Sequence, residues 1–215
     1  MAKLFSDIFE YVLKNQQLYI DSVKTHLFFF VTVLALNIIV GIPLGVLIAK
    51  KTGLSSVIIN VFSFLKMIPS LALLLIFLPI IGVGFWPAFI TLTIHALPNI
   101  IVNTYTGFRQ IDGFVIESAT AMGMTSREIL FKVEFPLAMH LIFTGIRTSS
   151  VDIIATTTVA AYIGAGGLGQ FVVMGLAFMK SSVMLSGSLT IAVMVLIFDF
   201  ILYLWQKRFT RYLPD

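Results

Sequence analysis

The chain contains no cysteine, and only 11% of its 215 residues are Asp, Glu, Lys or Arg. The first absence excludes a disulfide framework, a thiolate metal site and a thiol nucleophile. The second lies far below the roughly 25% of charged residues usual in soluble domains, and 59% of the residues are hydrophobic, with a mean hydropathy of +1.03. A soluble fold of this length cannot hide so much apolar surface, so compact soluble enzymes and disordered chains drop out. The net charge of +4 then reads as membrane topology rather than affinity for nucleic acid. No early, short apolar stretch of the signal-peptide kind is present, and the N-terminal segment is expected to be retained. Neither a Pro/Gly/Ser linker nor a sequence repeat is evident, which suggests one integral domain.

A spanning helix needs about 20 mainly apolar residues. Five segments qualify, at roughly 26–49, 56–82, 85–107, 137–163 and 183–205. In the second, Lys66 and Pro69 leave two readings open, one kinked span or a turn followed by a shorter span. Ahead of the spans, in residues 1–25, Leu4, Phe5, Ile8, Phe9, Val12 and Leu13 recur at helical spacing opposite Asp7, Glu10 and Lys14. That pattern fits a helix lying at the membrane interface, or a short packed one. Lys50, Lys51, Arg109, Arg127, Lys132, Lys207, Arg208 and Arg211 fall on the C-terminal side of the membrane, against Lys3, Lys14, Lys24 and Lys180 on the other. Short cytoplasmic loops collect such residues, so the N-terminus is expected outside and the C-terminus inside. The transmembrane domain is expected over 26–207, with a tail at 208–215.

The largest polar interruption, 108–136, is punctuated as two short helices. Asp112 suits an N-cap, Val115, Ala119 and Met122 make one apolar face, and Gly123 suits a left-handed stop. Thr125 and Glu128 have capping-box spacing, and Pro136 is expected to end the second helix. The element reads as a compact knob or as an ordinary solvated helical hairpin.

Glu117-Ser118-Ala119, Gly123 and Val133-Glu134-Phe135-Pro136 stand at a spacing that resembles the EAA signature of binding-protein-dependent ABC importer permeases. That pattern runs E-A-A, three residues, G, nine residues, I-x-L-P, and Ser118, Val133 and Phe135 depart from it only in size. Gly41-Ile42-Pro43-Leu44-Gly45, Ile68-Pro69-Ser70-Leu71-Ala72, Pro98 to Gly107, Gly145-Ile146-Arg147-Thr148 and Ile163 to Gly169 resemble the branch that imports glycine betaine, carnitine, choline and related osmoprotectants. Methionine importer permeases share the glycine-rich run and the loop, and match the stretches Asn103 to Gly107 and Gly145 to Thr148 less well.

The resemblance implies an all-α integral membrane protein of the type I ABC importer permease, methionine-importer-like fold. It also implies a multi-pass location in the bacterial cell membrane and a path formed with a second permease subunit, either a sister chain or a second copy. An external substrate-binding protein and cytoplasmic ATPase subunits, which use ATP and Mg, would complete the assembly, surrounded by lipid. This chain would bind no cofactor, hold no catalytic residue and touch no nucleic acid. The coupling role carries to Glu117, Ser118, Ala119, Gly123 and Pro136. An ion-driven secondary transporter acting alone is the competing class, although the inverted repeats common in such folds are not visible.

Ionisable groups within spans need a partner or water. Arg147 and Asp152 are candidates for the translocation path, as are Asn103 and Tyr105. Five residues apart, Arg147 and Asp152 do not share a helix face, so each is expected to find its partner elsewhere. Arg147 has the alternative role of tying helices together, and a fixed cation would repel a quaternary ammonium solute. Asp199 reads as a packing or gating partner. His95 and His140 lack a ligating residue at i+3 or i+4, which argues against a metal site. Gly164, Gly166 and Gly167 resemble a phosphate loop only superficially, lacking the following Lys-Ser/Thr, and a bend near an external gate is expected there. No G-x-S-x-G elbow supports a hydrolase.

Overall fold

The structure, a computed structural model, describes residues 2–51 and 55–209 and the side chains from residue 5 onward. Lys3, Leu4 and Arg211, with the expected tail from residue 210, lie outside that account. The described residues form helices and no strand. In order these are α1 (Ala2–Lys14), α2 (Gln16–Lys50), α3 (Ser55–Met67), α4 (Ser70–Ile81), α5 (Phe85–Arg109), α6 (Gly113–Ala121), α7 (Ser126–Ile129), α8 (Phe135–Ala160), α9 (Gly169–Ala177) and α10 (Ser181–Phe209).

Helices α2, α5 and α10 and the continuous run Ser126–Ile163 are each long and apolar enough to cross a membrane. The second expected span, 56–82, is the pair α3 and α4, bent by 89°. Pro69 explains the break: it offers no N–H and disfavours helix at Ile68 before it, while its own ψ of 132° turns the chain before α4 begins. Helix α2 starts at Gln16 rather than near residue 26. Its inward stripe runs through polar positions, Ser22 and His26, before reaching Phe29, Phe30 and Val33, so hydropathy alone hides its first turns.

Of the expected apolar face of α1, Ile8 and Val12 are half-buried. Tyr11 packs edge-on against Phe171 with ring centroids 6.2 Å apart, whereas Phe5, Phe9 and Leu13 remain exposed along one stripe. Large apolar residues also stay exposed on the outward sides of α2, α4 and α10, among them Ile39, Ile80 and Leu196, as expected for surfaces that meet hydrocarbon.

The centre is α5, flanked by α2 and α8. Lipid tails are as apolar as leucine, so these helices gain from close contact rather than from leaving water. Glycines supply that contact: a Cβ on Gly45 of α2 would fall 2.6 Å from the Thr104 Cβ of α5, and one on Gly145 of α8 would fall 2.9 Å from the Asn99 carbonyl oxygen and from the Asn103 Cβ. Two apolar cores result. One joins Phe29, Phe30, Val33, Ile153, Ile154, Leu168 and Phe171, and the other joins Ile100, Phe108, Ala138, Ile142 and Ile146.

Gly145→Val places two methyls against the α5 backbone and is expected to cost about 1–3 kcal/mol or more by overpacking. A lower melting temperature of the detergent-purified protein, against an unchanged Gly113→Ala control at an open position, checks it.

Candidate functional site

Helices α6 and α7 form the knob that the loop sequence predicts. Asp112 caps α6 by accepting from the Phe114 N–H at 2.9 Å. The helix stops at Gly123, whose φ of +82° is the left-handed region where an L side chain is strained. The Met124 N–H returns to the Ala119 carbonyl at 3.2 Å, the six-to-one closure of a Schellman turn. Thr125 and Glu128 then complete a full capping box at the start of α7. Of the expected apolar face only Ala119 is buried, and Val115 and Met122 point outward with Phe114. Glu117 and Gly123 are exposed and Ser118 is half-buried, so the knob presents them without covering them.

Pro136 does not end the second helix. The chain widens into a five-residue π-helical stretch, Leu130–Glu134, and continues as α8 with Pro136 in its first turn. The Phe135 N–H bonds the Leu130 carbonyl, five residues back. Proline lacks the donor that an α-helical bond to residue 132 requires, and its place in the first turn of α8 lets the helix run on.

The partner of Glu134 was not signalled by the sequence. The Glu134 side chain is 8% exposed, and Lys50 at the end of α2 donates to both carboxylate oxygens at 2.5 Å. The pair fastens the base of the knob to α2. The residues are 84 positions apart, and no local pattern joins them.

Within the helices, Arg147 and Asp152 find separate partners, as their spacing requires. Arg147 Nε and Nη2 donate to the two oxygens of Asp199, each at 3.0 Å, and Nη1 donates to Gln206 Oε1 at 3.0 Å. Its guanidinium carbon lies 5.2 Å from the Tyr203 ring centre, within cation–π range. Arg147 therefore ties α8 to α10 through the Asp199 and Gln206 side chains. Gln206 extends the network by donating to the His140 carbonyl at 3.1 Å.

Asp152 turns to α5, where Asn99 Nδ2 donates to Oδ2 at 2.9 Å and His95 Nε2 lies 3.6 Å from Oδ1. Both were legible as a face, since His95 and Asn99 stand four apart on one helix and Asp199 and Gln206 seven apart on another. What sequence lacked was which faces meet. Arg147, Asp152 and Asp199 border one open cleft of about 510 Å³, with Lys66 of α3 on its edge. Asn103 and Tyr105 do not border it. Asn103 donates to the Asn99 carbonyl at 2.8 Å, and Tyr105 packs against the core around Ile100 and Phe108.

Gly164, Gly166 and Gly167 all have positive φ, between +71° and +82°, and make the expected bend after a single 3₁₀ turn, Ala161–Ile163. The bend passes over His26, which is fully buried. A Cβ on Gly167 would sit 3.4 Å from His26 Nδ1, which accepts from the Leu168 N–H at 3.3 Å, while Nε2 lies 3.0 Å from the Ile154 carbonyl. The 26 residues of α8 separate this bend from the knob by about 39 Å at a rise of about 1.5 Å per residue. Knob and bend thus stand at opposite ends of the bundle.

Lys50→Ala strands a buried carboxylate and is expected to destabilise the protein by about 2 kcal/mol. In a double-mutant cycle of detergent melts, Glu134→Gln in the Lys50→Ala background is expected to cost much less than in the wild type; additive losses would count against the pair.

Residues 41–213 match the family described as binding-protein-dependent transport system inner membrane component. Among curated relatives, the chain is 40% identical over 185 residues to the carnitine transport permease protein OpuCB of Listeria monocytogenes, covering 86% of this chain and 85% of that protein. It is 34% identical over 185 residues to the glycine betaine/carnitine/choline transport system permease protein OpuCB of Bacillus subtilis, with the same coverage. The osmoprotectant import permease protein OsmW of Salmonella typhimurium is 32% identical over 209 residues, 95% of this chain and 97% of that one. Among solved structures, an inward-facing MetNI methionine ABC transporter superposes with a TM-score of 0.75 at 24% identity, covering 94% of this chain and 99% of the other.

Proposed function

Because this chain belongs to the family of binding-protein-dependent transport system inner membrane components, we propose that it is the permease subunit of an ATP-driven importer of osmoprotectants such as glycine betaine, carnitine or choline. The observation that carries the substrate class is the similarity, over 86–95% of the chain, to permeases named for those solutes. The methionine transporter is similar at 24% identity, which speaks for the fold and not for the solute.

In this reading the chain sits in a bacterial inner membrane with its C-terminus inside and pairs with a second permease subunit. The knob of α6 and α7 docks on a cytoplasmic ATPase subunit, where nucleotide is hydrolysed, and an external binding protein delivers solute at the other face. The separation of knob and glycine bend along α8 supports this division of labour. So does the surface of the knob: exposed Phe114, Val115 and Met122 around the small Ala119 are unlike a solvated hairpin and suit a protein groove. Movement of the knob would reach the bundle by two rigid links, the unbroken helix from α7 into α8 and the Lys50–Glu134 pair. The π-helical stretch between them is a place where the helix can shift register, since its bonds are already one residue out of step. Alternating access then follows as a rigid-body change between two packed arrangements.

Vesicles holding the chain with its ATPase, binding protein and any sister permease are expected to take up labelled glycine betaine only with ATP, in competition with carnitine or choline and not methionine. ATP-independent uptake overturns the reading, and competition by methionine moves it to the amino-acid branch. Gly123→Val is expected to preserve assembly and abolish most uptake. A Cβ there meets nothing within 4 Å, so the cost is backbone strain alone, and Gly123→Asn, which tolerates the left-handed region, is expected to retain transport.

A further inference from the structure

The cleft between α3 and α8 is lined by two basic and two acidic side chains, and their pairing is uneven. Arg147 and Asp199 are bonded through two parallel contacts at 3.0 Å, so each cancels the other's charge. Asp152 meets Asn99 at 2.9 Å and His95 at 3.6 Å, and no Lys or Arg. Lys66, in the last turn of α3, meets no acid among the described residues. The cleft thus holds one carboxylate without a Lys or Arg partner and one ammonium without an acidic partner among the described residues, on different helices.

Isolated charges within a membrane protein are costly unless they face each other, water or a ligand. About 510 Å³ is a volume typical of small-molecule sites, roughly 300–1,000 Å³. Val151 and Ala155 supply an apolar wall beside Asp152 on the same helix. Such a wall suits methyl groups that can make no hydrogen bonds, and a carboxylate beyond it suits the charge they surround.

We propose that this cleft is a transit site for a zwitterionic solute, with Asp152 facing its quaternary ammonium end and Lys66 its carboxylate end. The inference rests on the osmoprotectant reading above and deepens it: of the solutes in question glycine betaine and carnitine carry both charges, and choline carries only the cation. Asn99 and His95 act as positioning residues, holding the Asp152 carboxylate from α5 while leaving part of its acceptor capacity open. Arg147 does not repel the cationic end, because Asp199 neutralises it. The two poles ride on α3 and α8, so any widening of the cleft separates them and releases the solute, as passage requires.

The test is the maximal rate of ATP-dependent uptake by the complete complex in vesicles, with saturating binding protein, for labelled glycine betaine and labelled choline. Asp152→Asn is expected to lower the rate for both, and Lys66→Gln to lower glycine betaine by roughly tenfold or more while sparing choline. Asp152→Glu and Lys66→Arg are expected to restore transport. An equal loss for both solutes in Lys66→Gln shows a packing role and overturns the proposal, as does an unchanged rate in either Lys66→Gln or Asp152→Asn. If the wild type does not carry choline, the deciding result is glycine betaine alone: loss in Lys66→Gln that Lys66→Arg fails to restore counts against the site. Wild-type vesicles inert toward both solutes bring down the osmoprotectant reading and the site with it. Normal wild-type transport with an unaltered Lys66→Gln brings down the site alone.

Discussion

Helix α8 lies against α5 at a separation that only glycine permits, with the Gly145 backbone against the Asn99 carbonyl and Asn103. The rest of the arrangement follows from that contact. It brings Asp152, two turns further along α8, within reach of Asn99 and His95, and so fixes which intramembrane carboxylate is held from α5. It also sets the rotation of α8 that presents Arg147 to α10 instead of α5. A larger residue at 145 would push the helices apart and undo both pairings at once, because a polar group in hydrocarbon has no water to fall back on.

The polar side chains work as glue between helices that gain nothing by hiding from one another. Arg147 joins α8 to α10 through Asp199 and Gln206, Lys50 joins α2 to the start of α8 through Glu134, and His26 joins α2 to the end of α8 and the glycine bend. These three fastenings sit at the middle, at one end and at the other end of α8. That helix is consequently the member to which the others are referenced, and it is continuous with the knob. In the proposed importer, a displacement at the knob would therefore reach every fastening through one run of helix.

Local chemistry was legible wherever one short stretch of chain decides it. The Asp112 cap, the Gly123 stop and the Thr125–Glu128 box involve residues within a turn or two of each other, and their spacing alone announced them. The bend at Gly164 to Gly167 was equally plain. Pro136 was misread as a helix stop because the π-helical stretch that accommodates it leaves no mark in hydropathy or capping pattern. Val115 and Met122 were read with Ala119 as one apolar face; they are exposed because none of the described residues covers them.

Composition and apolar runs determined by themselves that this chain is a helical membrane protein, since long apolar runs can cross hydrocarbon as helices that satisfy their own backbone. Residue spacing determined the two short helices of the knob and their caps, and the resemblance of its motif to a known signature pointed to the family. The tertiary structure alone decided that Lys50 meets Glu134, that Arg147 is spent on Asp199, that His26 underpins the glycine bend, and that Asp152 and Lys66 are left facing one cleft. Each of those joins helices whose relative rotation is set by packing at a few small residues, and no pattern along the chain encodes that rotation.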